Sequence, residues 1–187
     1  QLLEQPNPKK MFHENYAFYS STSVNMQKHF KLWASKIMSD NNFDKNKFVI
    51  ELGSNDGIFI DNLREQNIKH LGIEPSKNVA EVAIKKKNKV LIEFFSSQLA
   101  DKIVREYGKC DYFISANVMC HIPNIVDIAN GISKCLKDKG ILSFEDPYLG
   151  DVLKKITYDQ LNLFNKKSID KIFEKYKFDE IYNFAGH

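Results

Sequence analysis

The chain has 187 residues, a length that suits one domain with a sizeable core. Hydrophobic residues make up 43% and charged residues 27%, ordinary proportions for a soluble globular protein. The net charge of +3 is too small to imply a nucleic-acid or membrane partner by itself, and no apolar run approaches the roughly 20 residues of a membrane span. Cys110, Cys120 and Cys135 form no CxxC pair and leave an odd thiol, which points to reduced cysteines, a cytoplasmic location and no zinc site within these residues. Lys85-Lys86-Lys87 is the only tight basic run and reads as a solvated helix end.

Residues 1–10 are polar, with Pro6 and Pro8, and read as a leader. The first residue is Gln1 and not Met, so an upstream portion is expected. An aromatic-rich stretch follows, with Phe12, Tyr16, Phe18 and Tyr19 ahead of Ser20 to Ser23. Ser23 suits the N-cap of a helix from Val24 to about Met38, whose Met26, Phe30, Trp33 and Ile37 share one face. Periodicity favours a hydrophobic staple for the aromatic stretch; the alternative is a cover that closes over a pocket.

Phe48 to Leu52 is an apolar run wide enough for one buried strand. Gly53 ends it, and Ser54-Asn55-Asp56-Gly57 reads as a tight loop. Ile58, Phe59 and Leu63 then carry helical spacing. Strand, glycine loop and helix together place a small ligand at the helix N-terminus, beyond the carboxyl end of the strand. The ligand's charge can be argued from the acids. Glu51 and Asp56 would repel a pyrophosphate, whereas an ammonium and a sulfonium are not repelled. S-adenosylmethionine has both and carries no phosphate. Residues 51–57 resemble motif I of class I methyltransferases, with Asn55 in place of the middle glycine. A nicotinamide-dependent dehydrogenase is a rival that the sparse glycines argue against.

Leu71 to Ile73 is a second strand ending in Glu74, about 20 residues beyond the loop, the spacing at which nucleotide folds put an acid on a ribose. Pro75 and Ser76 open a helix from Lys77 to Lys87. Val90 to Phe95 supplies a third strand. Glu93 there can accept from an adenine amine while Phe94 or Phe95 covers the ring; the other reading is core phenylalanines and an exposed acid. A helix over 98–107 leads to a fourth strand over 109–117. Asn117 to Asn124 form a loop opening a helix over 125–136, and 140–146 give a fifth strand. A helix over 171–177 and an edge strand over 180–184 complete the expectation. The alternation implies a doubly wound α/β fold, its mostly parallel sheet covered on both faces, with an N-terminal helical lead. Residues 1–39 are read as leader and helix, 40–160 as the core, and 161–187 as a C-terminal helix and the start of a further segment.

Five stretches occur in order: Glu51 to Gly57, Gly72 to Ser76, Glu93 to Phe95, Asn117 to Pro123, and Glu145 to Leu149. Together with Tyr16 to Ser21 they resemble the class I methyltransferase domain of the sugar C-methyltransferase family, over about Met11 to Ile156. The resemblance implies a Rossmann-like fold and S-adenosylmethionine as cofactor. It implies methyl transfer to carbon of a nucleotide-linked keto-deoxysugar, so a small-molecule partner and neither nucleic acid nor membrane. Cofactor contacts are expected from Glu51, Gly53, Asn55, Asp56, Gly57, Glu74, Pro75, Glu93, Phe94, Phe95 and Asn117. His121 is the candidate acid/base group or donor, its alternative being a helix-opening histidine bonded to backbone. Tyr16 and Glu145 join it as catalytic candidates, and Tyr19 and Tyr148 face the acceptor. No metal is expected.

The family also has a cysteine-rich zinc-binding segment upstream, a further domain downstream, and a Tyr-x-Glu-His segment. Tyr158-Asp159-Gln160 resembles the lead-in to that segment, but Leu161 to Phe164 follows, so either residues are omitted at this junction, which is the expectation, or the chain lacks the base that the resemblance implies. Methyl transfer to oxygen or nitrogen, and a module that binds the cofactor without catalysis, are the alternatives.

Overall fold

The computed structural model describes residues 7–39 and 43–146. The chain divides into two compact units, residues 1–144 and 145–187. The expected helix over 171–177 and strand over 180–184 lie outside the described residues.

The first unit is built on a parallel sheet. Strand β1 (Phe48–Leu52) is buried at all five positions, as a strand needs to be when helices cover both faces. It pairs in parallel with β2 (Lys69–Ile73), Ile50 opposite Leu71, and with β4 (Cys110–Ala116), Ile50 opposite Phe113. The short β3 (Val90–Leu91) pairs in parallel with β2, and β5 (Leu136–Glu145) completes the order β3-β2-β1-β4-β5. The order reverses between β1 and β4, which opens a crevice beyond their carboxyl ends.

Strand alternation sorts the core into two layers. Phe48, Ile50 and Leu52 pack with Phe113 against Leu99 and Ile103 of α5 (Ser97–Tyr107) and Ile128 and Ile132 of α6 (Ile125–Cys135). Val49, Tyr112 and Ile114 face the other way. They pack against Phe30 and Ala34 of α2 (Val24–Met38) and Ile60 and Leu63 of α3 (Ile60–Glu65). Phe59 joins this second layer, its ring 5.5 Å from Trp33 and edge-on to it. Side-chain oxygens cap three of the longer helices where the sequence supplies them. Ser23 accepts from the Met26 N–H, Ser96 from Leu99 and Asn124 from Asp127.

Several boundaries differ from expectation for local reasons. Helix α4 (Lys77–Lys85) stops two residues early, where Lys87 takes a left-handed φ of 70°. Strand β3 ends at Leu91 and not Phe95. Ile92, Glu93 and Phe94 are exposed, and Glu93 pairs with Lys102 of α5. Strand β5 follows α6 directly from Leu136. A turn of helix, α1 (Pro8–Met11), forms within the expected leader, with Pro8 in its first turn and Asn7 accepting from the Lys9 N–H. Among the described residues no helix is long and apolar enough to cross a membrane.

Candidate functional site

A cavity of about 800 Å³ lies at the crevice between β1 and β4. Its floor is the end of β1, with Glu51, Leu52 and Gly53, followed by Asn55 and Ile58. Glu74 and Pro75 border it from the end of β2, and Ala116, Asn117 and Val118 from the end of β4. Phe94 and Phe95 form a further side, and His121 to Asn124 stand at the α6 end.

The glycines act mainly by admitting neighbours. Gly53 has φ +73°, and a Cβ there would stand 2.2 Å from Cγ2 of Val118. The β4 loop therefore rests directly on the glycine. Gly57, at φ +88°, closes the loop against α4; a Cβ there would meet the Ala83 Cβ at 3.0 Å and the Asn88 amide at 2.9 Å. Gly57 does not line the cavity, so its part is to pack the loop on α4.

The cavity floor is acidic. Glu51 is 2% exposed and its Oε2 has no hydrogen-bond partner. Burial raises its carboxyl well above the ordinary value, Glu74, Asp56 and Asp61 add to the rise, and the Ile60 N–H opposes it. Glu74 is 5% exposed, and burial raises its carboxyl too. Its Oε1 accepts from the Ser76 N–H at 2.8 Å and its Oε2 from the Asn55 N–H at 3.1 Å. Each carboxylate oxygen retains capacity for a second donor. A buried, partnerless carboxyl oxygen beside a second carboxylate is a site for a cation and for hydroxyl donors.

Asp56 plays a different part. Both its oxygens accept from the Ser21 N–H, at 3.1 and 3.3 Å, and Oδ2 accepts from the Ser21 hydroxyl as well. That carboxylate is satisfied by the protein and does not line the cavity. Glu93 is also elsewhere, in its surface pair with Lys102 at 2.9 Å. Phe95 is buried with its ring 5.4 Å from Phe113, while Phe94 is exposed at the rim.

The aromatic stretch ahead of α2 lies across the cavity, the arrangement that periodicity alone ranked below a staple. Tyr16, Phe18 and Ser20 line it, and Met11 and Phe12 extend the cover. Burial and the Glu74 charge both raise the Tyr16 hydroxyl. Tyr19 is turned to Asn78, whose Nδ2 donates to the Tyr19 hydroxyl oxygen at 2.9 Å. His121 ends a 3₁₀ turn (Met119–His121) and meets the ring of Phe12 edge-on, centroids 6.4 Å apart. Glu145 ends β5 and belongs to the second unit, and Tyr148 lies outside the described residues. Phe12 and Phe18 were legible only as members of a stretch that could cover a pocket, and Asn78, which bonds the Tyr16 backbone and the Tyr19 hydroxyl, was not legible as its anchor. The aromatic cluster was the available signal, but its partners lie far along the chain.

Residues 26–182 match the family described as a methyltransferase domain. The C-methyltransferase NovU of Streptomyces niveus is 23% identical over 167 residues, covering 87% of this chain and 40% of that protein. The chain therefore spans well under half the length of that curated relative. Magnesium protoporphyrin IX methyltransferase of Synechocystis, solved with bound SAH, has a TM-score of 0.53 at 17% identity, covering 86% of this chain and 67% of that one. A SAM-dependent methyltransferase of Archaeoglobus fulgidus has a TM-score of 0.55 at 13% identity, covering 80% and 67%. At such identities these structures speak to the fold.

Proposed function

The chain belongs to the methyltransferase-domain family, and from that premise we propose that it transfers a methyl group from S-adenosylmethionine to carbon of a nucleotide-linked keto-deoxysugar. One observation carries the reading. The buried, partnerless Oε2 of Glu51 and the carboxylate of Glu74 border one cavity at the switch point of a parallel sheet. Glu51 would take the ammonium of the amino-acid tail, and Glu74 the two ribose hydroxyls. Pro75, Phe94 and Phe95 offer apolar walls to the adenine. The C-methyltransferase among the relatives supports carbon as the methylated atom.

The donor supplies an electrophilic methyl on a sulfonium centre; the protein's residues do the rest. A carbon beside a ketone becomes nucleophilic only when it loses a proton, so the site needs a base and a donor for the enolate oxygen. His121, on the turn beyond β4, is the group in this reading that takes the proton or holds that oxygen. The ring of Phe12 stands edge-on to that of His121. Tyr16 and Phe18 exclude water from above, and much of the rate of the transfer itself would come from alignment.

Mass spectrometry of a panel of nucleotide-linked keto-sugars incubated with methyl-labelled donor tests the proposal. The expected result is one added methyl on carbon, lost with His121→Asn. A methyl found on oxygen or nitrogen would replace the acceptor class. Donor binding without transfer to any substrate would mark a binding module, and a variant as active as its parent would remove His121 from the mechanism.

A further inference from the structure

Asn55 occupies a backbone conformation that costs an ordinary side chain something, φ +47°, where glycine would be free of strain. Both ends of its side-chain amide are nevertheless bonded to backbone. Oδ1 accepts from the Ser20 N–H at 2.9 Å, and Nδ2 donates to the Phe18 carbonyl at 3.0 Å. Its own N–H donates to Oε2 of Glu74 at 3.1 Å. One residue thus touches the acid at the cavity floor and the segment over its mouth. The segment is pinned at two other points. Asp56 accepts from Ser21. Asn78 accepts from the Tyr16 N–H at 3.2 Å and donates to the Tyr16 carbonyl at 2.7 Å. Between these pins stand Tyr16, Phe18 and Ser20, which line the cavity.

We propose that Asn55 is a positioning residue that fastens the segment 16–21 over the nucleoside end of the cavity, so that retention of the donor depends on this clamp. The proposal rests on the cofactor reading above for its ligand, but the clamp itself does not. Bidirectional amide-to-backbone bonding fixes the segment in register, one bond on each side of Tyr19. Asn55 also ties that register to Glu74, so a ligand that engages Glu74 meets a cover already set. An aliphatic residue at position 55 could offer neither bond, and aspartate would offer only the acceptor.

The test is residue-resolved amide exchange by NMR on the whole chain, with and without S-adenosylhomocysteine, in the parent, Asn55→Gly and Asn78→Ala. Without ligand, Asn55→Gly should speed exchange at Ser20 by about tenfold, the worth of one lost hydrogen bond, while Tyr16 stays protected. Asn78→Ala should do the reverse. With ligand, calorimetry should show Asn55→Gly binding about tenfold more weakly than the parent, by faster release. A general loosening would raise both amides together in either variant, and that pattern would overturn the clamp. Unchanged Ser20 exchange in Asn55→Gly would overturn it as well. Released Ser20 with unchanged ligand affinity would overturn the positioning role. A parent chain that does not bind the ligand would overturn the cofactor reading, and the ligand-free arm separates that failure from failure of the clamp.

Discussion

Burial holds the Glu51 carboxyl well above 4.5, with Glu74 the next cause and Asp56 and Asp61 after it. The folded chain therefore keeps a proton that the unfolded chain releases. Stability should fall as pH climbs from about 4.5 towards the raised value, because the folded state binds more protons across that window. Glu51→Gln is predicted to flatten the slope, leaving the part contributed by Glu74, whose carboxyl is also raised. Urea unfolding at a series of pH values measures it; parallel curves for parent and variant would contradict it. Asp111 behaves in the opposite sense. Burial would raise its carboxyl, but the Lys137 ammonium, the Phe48 N–H and Lys47 together lower it. Its contribution is present at neutral pH and lost as the medium is acidified through the lowered value. Asp111→Asn should cost about 1–3 kcal/mol near pH 7 and progressively less in acid, read by the same unfolding series. Glu51 and Glu74 were both legible as a spacing. That Asp56 serves Ser21 instead of the cavity was not, because its partner is 35 residues away.

The glycine loop is the element on which the crevice turns. A methyl group at position 53 would meet Val118 at 2.2 Å, and the φ of +73° is strained for any residue with a Cβ. Gly53→Ala should therefore lower stability by about 1–3 kcal/mol. Adding Val118→Ala should restore the steric part and leave the backbone part. Thermal melting of the single and double variants checks this; a single variant that melts with its parent would contradict it. The loop was legible from Gly53 and Gly57, yet what packs on each glycine was not. Strand β3 shows a similar limit. Six residues of strand-like composition run from Val90 to Phe95, but only Val90 and Leu91 pair with β2. Beyond them Glu93 finds Lys102 and Phe95 finds Phe113, contacts with α5 and β4 that pull the chain off the sheet. Long-range partners overrode a local pattern.

Across the whole molecule, the alternation of apolar runs with amphipathic helices was enough to give a mostly parallel sheet, but not the strand order or its reversal between β1 and β4. It also gave the end of the sheet at which the acids gather. It did not give the cover. The segment from Met11 to Ser21 carries no periodicity that distinguishes a staple from a roof. Its position follows from Asn55, Asp56 and Asn78, polar side chains whose sequence contexts are unremarkable. In the proposed function, Glu51 and Glu74 form one seat for a ligand with an ammonium and a ribose. Calorimetric titration with S-adenosylhomocysteine, of the parent chain and of Glu74→Gln, tests that most directly. Saturable binding by the parent, weakened about tenfold or more in a variant that still melts cooperatively, is the predicted result. A folded parent that gives no binding heat, or a variant that binds as tightly as its parent, would contradict it.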